Sequence, residues 1–347
     1  MESSEAAKAL VVEELGKTYR VSDKAPGFKN TIAHFIKRKT RDVHAVRGAS
    51  FSLNVGESVG FLGENGAGKT TTLKMLSGLI APSSGKARVL GFEPFKRNRT
   101  FLKNITLVMG GKQQLIWDLP ALDSYKIHAA VYGLEEKAAE RKVSMLAEML
   151  RVEGFLSVPV RKLSLGQRMK AELVAALLHS PKVLFLDEPT LGLDFSAQAL
   201  IRTFLKEYNE KEGATLLLTS HYMADILALS QRVIVMHQGR LIFDDALDVL
   251  RKSAAEDREI HAEFSHEVEA KTLVEKFGKD VSRVQMNGER KTIIDVSGSK
   301  SLAVVRTLSS HFPLVDLSIK EAPVEKVVQR LFSEHEKLRR KENDHAL

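Results

Sequence analysis

The stretch SVGFLGENGAGKTTTLKMLSGL, Ser58 to Leu79, decides how the chain is read, because Gly63–Thr71 fits the pattern G-x-x-x-x-G-K-[ST] at every fixed position. The apolar run before the loop has the composition of a buried strand, and TTLKMLSGL after it has the 3.6-residue apolar spacing of a helix. Strand, glycine-rich loop and helix in this order make a cradle for phosphates. Gly63, Gly66 and Gly68 let successive amides turn inward, and the helix presents its positive end to the same place. The whole loop, Gly63, Glu64, Asn65, Gly66, Ala67, Gly68, Lys69, Thr70 and Thr71, is the expected nucleotide contact. Lys69 would reach the β- and γ-phosphates as a point charge, and the Thr70 hydroxyl would ligate Mg²⁺.

Around this centre the composition sets bounds. With 347 residues, 44% of them hydrophobic, the chain can bury a large core, and its length predicts more than one domain. The absence of cysteine excludes disulfides and thiolate metal sites. No run approaches the roughly 18 to 20 apolar residues a membrane span needs, and the start, MESSEAAKAL, lacks a signal-peptide layout, so a chain without its own span is expected. A net charge of +8 suits an anionic partner or merely a charged surface.

Taken in order, Ala7–Val21 reads as a strand ending near Tyr19. Residues 22–43 read as a basic amphipathic insertion, in which a helix from Phe28 to Arg41 would place Phe28, Ile32, Phe35 and Ile36 on one face. Strands are expected on both sides of a turn at Asn54–Glu57 and again at Ile105–Gly110. Two helices broken near Gly133 are expected between Asp123 and Leu150. Ser164, followed by Gln167 three residues later and then by an apolar run, has the layout of a helix-starting capping box. VLFLDE reads as a buried strand carrying Asp187 and Glu188 to its carboxyl edge, where ligands of open α/β sheets collect. ATLLLTSH places His221 just beyond another such strand.

With Lys69, LSLGQ, LDEPTLGLD and SH in this order, residues 7 to about 247 resemble the ATP-binding cassette ATPase of ABC transporters. GFLGENGAGKTTTLKMLSGL, LIWDLPALDS and LLTSHYMADI are most similar to ATPase subunits of bacterial ABC-2 type exporters. The resemblance implies an α/β P-loop NTPase cassette over residues 1–248, with a RecA-like core, an antiparallel β subdomain and a helical subdomain at about 112–180. It implies that Tyr19 stacks on adenine, that Thr70 and Asp187 serve Mg²⁺, that Glu188 is the general base and that His221 contacts the γ-phosphate. Ser164, Leu165, Gly166 and Gln167 stand for the signature motif acting on the ATP of an opposite subunit, and Asp194 for the dimer-contact loop.

Two positions depart from the pattern: Leu165 replaces a signature glycine, and the usual coupling glutamine falls on Gly111, leaving Gln113 and Gln114 as alternatives. The implied partners are a second copy, an integral-membrane ABC-2 type permease and the inner membrane surface, with Mg²⁺ and ATP bound at its cytoplasmic face and no nucleic acid expected. Two rival readings stand beside it, a soluble cassette ATPase acting on nucleic acid or ribosomes, and an ATP-gated binding subunit with weak hydrolysis.

Beyond Asp248, RKSAAEDRE reads as a polar linker into a second domain, 249–347. There the strand and helix signals run βαββαβ, with a hairpin around Asn287 and Gly288, which predicts a small α+β ferredoxin-like fold closed by a last helix. No catalytic or metal-ligand constellation falls in it, so a packing or dimer-supporting role is expected.

Overall fold

A computed structural model describes residues 7–22, 40–110 and 113–345, in two units, Met1–Asp245 and Ala246–Leu347. In the first unit, β1 (Lys8–Ser22), β2 (Thr40–Asn54), β3 (Ser58–Gly63), α1 (Lys69–Leu76) and β4 (Ser84–Val89) are followed by α2 (Arg99–Lys103) and β5 (Ile105–Met109). Next come three helices, α3 (Ala121–Tyr132), α4 (Glu136–Leu150) and α5 (Leu165–Leu177). The unit ends with β6 (Val183–Asp187), α6 (Phe195–Glu212), β7 (Thr215–Thr219), α7 (Met223–Leu229), β8 (Arg232–His237) and β9 (Arg240–Ala246).

Two sheets organise it. Strands pair in the order β5-β6-β7-β3-β8-β9, parallel from β5 through β8, while β2-β1-β4 form an antiparallel sheet. Every residue of β6 and β7 is buried, as expected of strands covered on both faces. One apolar cluster joins Leu10, Leu15 and Phe51 of the antiparallel sheet to Leu73 and Leu76 of α1 and to Phe61, Phe185 and Ile234 of the parallel sheet. The helix that follows the phosphate loop is therefore locked into the core by its own apolar residues, which fixes the loop at the carboxyl edge of β3.

The N-terminal hairpin corrects the insertion's bounds. Tyr19 pairs with Val43, Arg20 with Asp42, Val21 with Arg41 and Ser22 with Thr40, so Ser22 and residues 40–43 belong to strands. An antiparallel ladder satisfies their backbone groups, and an ion pair from Arg20 to Asp42 at 3.6 Å lies across it. Arg41 is thus not helical, and the rest of the expected helix, Phe28 to Lys39 with Lys29, Ile32, Phe35, Ile36, Lys37 and Arg38, lies outside the described residues.

In the second unit, α8 (Leu247–Ala255), β10 (Asp257–Phe264), α9 (Ala270–Phe277), β11 (Arg283–Met286), β12 (Lys291–Ser297), α10 (Gly298–His311), β13 (Leu314–Glu321) and α11 (Val324–His345) follow in order. The expected linker RKSAAEDRE is not a linker. Leu247, Leu250 and Ala254 recur at helical spacing and are buried, so most of it is α8, and Asp257 already begins a strand. The sheet order β11-β12-β10-β13 is antiparallel throughout, the ferredoxin-like arrangement.

Ile260, Phe264, Leu273, Ile294, Val304 and Leu308 make this unit's own core. Phe264 is fully buried and its ring stands 5.7 Å from that of Phe312. Phe264→Ala should therefore destabilise the C-terminal unit by about 3–5 kcal/mol, read as a shift in the urea midpoint of that unit's transition.

Candidate active site

The loop that opens α1 is built on backbone that only glycine tolerates well. Gly68 has a φ of +109°, and a methyl group there would lie 2.3 Å from the Ala45 carbonyl. From outside, the Gly239 amide donates to the Ala67 carbonyl at 3.0 Å, so the turn between β8 and β9 braces the loop. Lys69 lies inside it, its ammonium donating to the carbonyls of Gly63 at 2.6 Å and Glu64 at 3.0 Å. Burial pushes the Lys69 pKa down, while the carboxylates of Glu188, Asp187 and Glu64 act in the other direction.

Sheet order brings the other groups here. Asp187 ends β6 opposite Thr219, the last residue of β7, and β7 in turn neighbours β3. The Asp187 carboxylate accepts from the Thr70 hydroxyl on one oxygen and from the Thr219 hydroxyl on the other, each at 2.8 Å. A hydroxyl and a carboxylate held together are the hard oxygen donors that suit Mg²⁺, an ion usually bound by one or two carboxylates together with substrate phosphates. Thr70 and Asp187 therefore fit the role expected of them.

Glu188 steps off the strand with a φ of +57°, uncommon for a non-glycine residue, and its amide donates to the Thr219 hydroxyl at 3.1 Å. Its carboxylate accepts from the His221 amide at 2.9 Å and lies 3.5 Å from the His221 ring nitrogen Nε2. Burial pushes the Glu188 carboxyl above the usual range, against the pull of His221 and Lys69. A raised carboxyl is the better proton acceptor. Thr219 went unremarked in the sequence, where only its place before Ser220-His221 could have signalled it. Gly110 is a second such residue, since a Cβ there would meet the Glu188 carbonyl at 2.6 Å.

The other group of predicted residues gathers on a separate face. Ser164 caps α5 with both bonds of a capping box, its hydroxyl accepting from the Gln167 amide at 3.2 Å and its amide donating to the Gln167 side chain at 2.9 Å. Asp194 caps α6, accepting from the Ala197 amide at 2.9 Å. Ser164, Gly166, Gln167 and Asp194 line one cavity of about 270 Å³. A methyl group at Gly166 would sit 3.3 Å from that of Ala197, a tight contact that a shift of a few tenths of an ångström would relieve. Leu165 is 44% exposed and its side chain packs over Gly192, so the residue that departs from the pattern lies on the surface.

Gly111 lies outside the described residues. Gln114 is committed to the fold: its amide nitrogen donates to the Leu107 carbonyl at 3.3 Å, and its backbone N–H to the Glu172 carboxylate at 2.8 Å. Gln113 is the exposed one of the pair. Tyr19 is 37% exposed, with the Lys17 ammonium 5.3 Å from its ring centre.

A family model described as ABC transporter matches residues 46–191. The chain is 34% identical over 215 residues to the ABC transporter ATP-binding protein NatA of Bacillus subtilis (strain 168), an overlap of 62% of this chain and 87% of that protein. It is 35% identical over 218 residues to the Nod factor export ATP-binding protein I of Burkholderia orbicola (strain AU 1054), covering 63% of this chain and 71% of the relative. A solved structure of an ATP-binding subunit of an ABC transporter superposes with a TM-score of 0.59 at 27% identity, over 71% of this chain and 92% of that one.

Because a side chain at position 68 would collide with backbone rather than with a movable group, Gly68→Ala should weaken Mg·ATP binding by about 10-fold or more. A fluorescence titration with a nucleotide analogue reads this directly, and circular dichroism should show an unchanged fold.

Proposed function

The chain belongs to the ABC transporter ATP-binding proteins, and we propose that it is the ATP-hydrolysing subunit of an ABC-2 type exporter, acting as a homodimer on a separate permease at the cytoplasmic face of the inner membrane. The observation that carries hydrolysis is the pairing of Glu188 with His221 beside Asp187, Thr70 and Lys69 at one sheet edge. Phosphoryl transfer asks little covalent chemistry of a protein and much placement of charge around an in-line water. In this reading Lys69 and the loop amides hold the β- and γ-phosphates, Glu188 polarises the attacking water, and His221 bears on the γ-phosphate. Thr70 and Asp187 would hold Mg²⁺, which supplies positive charge against the phosphate oxygens. The exposed Tyr19 ring is available to stack on adenine. Gln113 is the better candidate for the coupling glutamine, since Gln114 is already engaged.

Dimerisation is supported by the second face. Ser164, Gly166 and Asp194 share a cavity on the surface of their own subunit, and the helix start there offers an anion site to a phosphate held by a second copy. A relative named for Nod factor export supports the direction of transport. No helix among the described residues is long and apolar enough to cross a membrane, and the proposal assigns translocation to the permease. The paired Glu188 and His221 favour hydrolysis over a merely ATP-gated subunit, and relatives that are transporter ATP-binding proteins favour transport over a nucleic-acid ATPase.

Removing the base should leave binding and stop chemistry. Glu188→Gln is expected to keep Mg·ATP affinity and lose turnover by roughly 100-fold or more, the scale of general-base loss. Unchanged phosphate release from that variant would move the base elsewhere.

In the same Glu188→Gln background, light scattering with Mg·ATP should show a dimer, and Ser164→Arg should return it to monomer by filling the cavity beside Asp194. A dimer that persists in the double variant would contradict the assignment of this face.

A further inference from the structure

Two loops must keep their places for the proposed chemistry: the one carrying His221 and the one running from Glu188 to Asp194. Neither is held by sheet hydrogen bonds along its length. Both converge on one buried carboxylate that no sequence motif singled out.

Asp225, in the first turn of α7, has no exposed surface. Its Oδ2 accepts from the Ser220 hydroxyl at 2.6 Å and from the Thr190 hydroxyl, and its Oδ1 accepts from the Arg202 guanidinium at 2.9 Å. Ser220 immediately precedes His221, and its hydroxyl also accepts from the Tyr222 amide at 3.0 Å, so the backbone on both sides of His221 is pinned. Thr190 lies two residues after Glu188 and four before Asp194. Its carbonyl and that of Leu193 accept from the side-chain Nε2 of Gln198 on α6, at 3.4 and 3.1 Å. Arg202 projects from the same helix, α6, whose N-cap is Asp194.

Burying a carboxylate costs several kcal/mol unless its oxygens are satisfied and its charge is paired. An apolar side chain at this position would carry no such cost of its own but would leave the donors from Ser220, Thr190 and Arg202 without an acceptor. What the carboxylate adds is directionality: one rigid group sets the positions of a hydroxyl from each loop and of a guanidinium from α6.

We infer that Asp225 is a positioning residue for ATP hydrolysis, setting His221 against Glu188 through the Ser220 hydroxyl and tying that placement to the Thr190–Asp194 loop. The inference rests on the ATP-hydrolysing reading of the site. The chain of contacts runs from the loop expected to meet the opposite subunit to the histidine beside the base, so a displacement of Thr190 is felt at His221.

The test is a double-mutant cycle on turnover, measured as release of radiolabelled phosphate from Mg·ATP. Ser220→Ala breaks the link and leaves the Asp225–Arg202 ion pair intact, whereas Asp225→Asn weakens every contact and carries the greater risk of unfolding. Each is made in the wild-type chain and in His221→Ala, with thermal melting and nucleotide affinity measured alongside. Ser220→Ala and Asp225→Asn should each lower kcat by about 10-fold in the wild-type background, with affinity changed less than about 3-fold. In the His221→Ala background the same changes should lower kcat by less than about 2-fold, because the group they position is gone.

Losses of equal size in both backgrounds would show that Asp225 acts on the fold at large and would overturn the inference. So would wild-type turnover in Ser220→Ala, even if Asp225→Asn fails to fold. A wild-type chain that releases no phosphate would instead remove the ATPase reading on which the inference stands.

Discussion

The active-site edge depends on the Asp187 carboxylate and its two hydroxyl partners. Thr70 comes from the helix after the phosphate loop and Thr219 from the end of β7, and one buried carboxylate holds both. Losing either hydroxyl would leave a buried acceptor unsatisfied, which costs more than an ordinary hydrogen bond contributes. The phosphate loop, the strand that leads into Glu188 and the strand that leads to His221 are thereby fixed relative to one another. Glu188 can then leave the strand in a left-handed conformation that would be unfavourable in isolation, because its amide and carboxylate both find partners on β7 and just beyond it.

A second theme is the double use of helix starts. The groups that cap α5 and α6 in the free subunit, Ser164 and Asp194, are the groups the proposed dimer presents to its partner. Capping and anion binding draw on the same unpaired amides at a helix N-terminus. Glu172 extends this economy along α5, accepting from the amides of Gln114 and Leu115 at 2.8 and 3.3 Å. Burial raises its pKa while those amides oppose the rise. The segment after β5 is therefore bonded to the helix that Ser164 caps.

The C-terminal unit folds around its own apolar residues and sets ion pairs between Lys326 and Glu259 at 2.7 Å and between Arg330 and Asp257 at 2.7 Å. Nothing in its core resembles the chemistry of the first unit. Its ferredoxin-like order suits a packing module, and the fold by itself assigns it no activity.

The sequence by itself determined the elements and the groups that could do chemistry. The strand–loop–helix at Ser58–Leu79, the capping box at Ser164 and the βαββαβ order of the second unit are local patterns, written in residue spacing and turn chemistry over a few residues. Only the tertiary structure decided which groups meet. That Thr219 joins Asp187, that Gly110 must be bare under the Glu188 carbonyl, and that Asp225 gathers Thr190, Ser220 and Arg202 all follow from the strand order and from side chains converging at one sheet edge. Such contacts between distant segments leave no period in the chain. The same reason accounts for the two misplaced boundaries. Arg41 belongs to a strand because Val21 pairs with it across the hairpin, and RKSAAEDRE is mostly helix because Leu247, Leu250 and Ala254 found a core to cover. Local polarity set those two boundaries, and strand pairing moved the one while apolar burial moved the other.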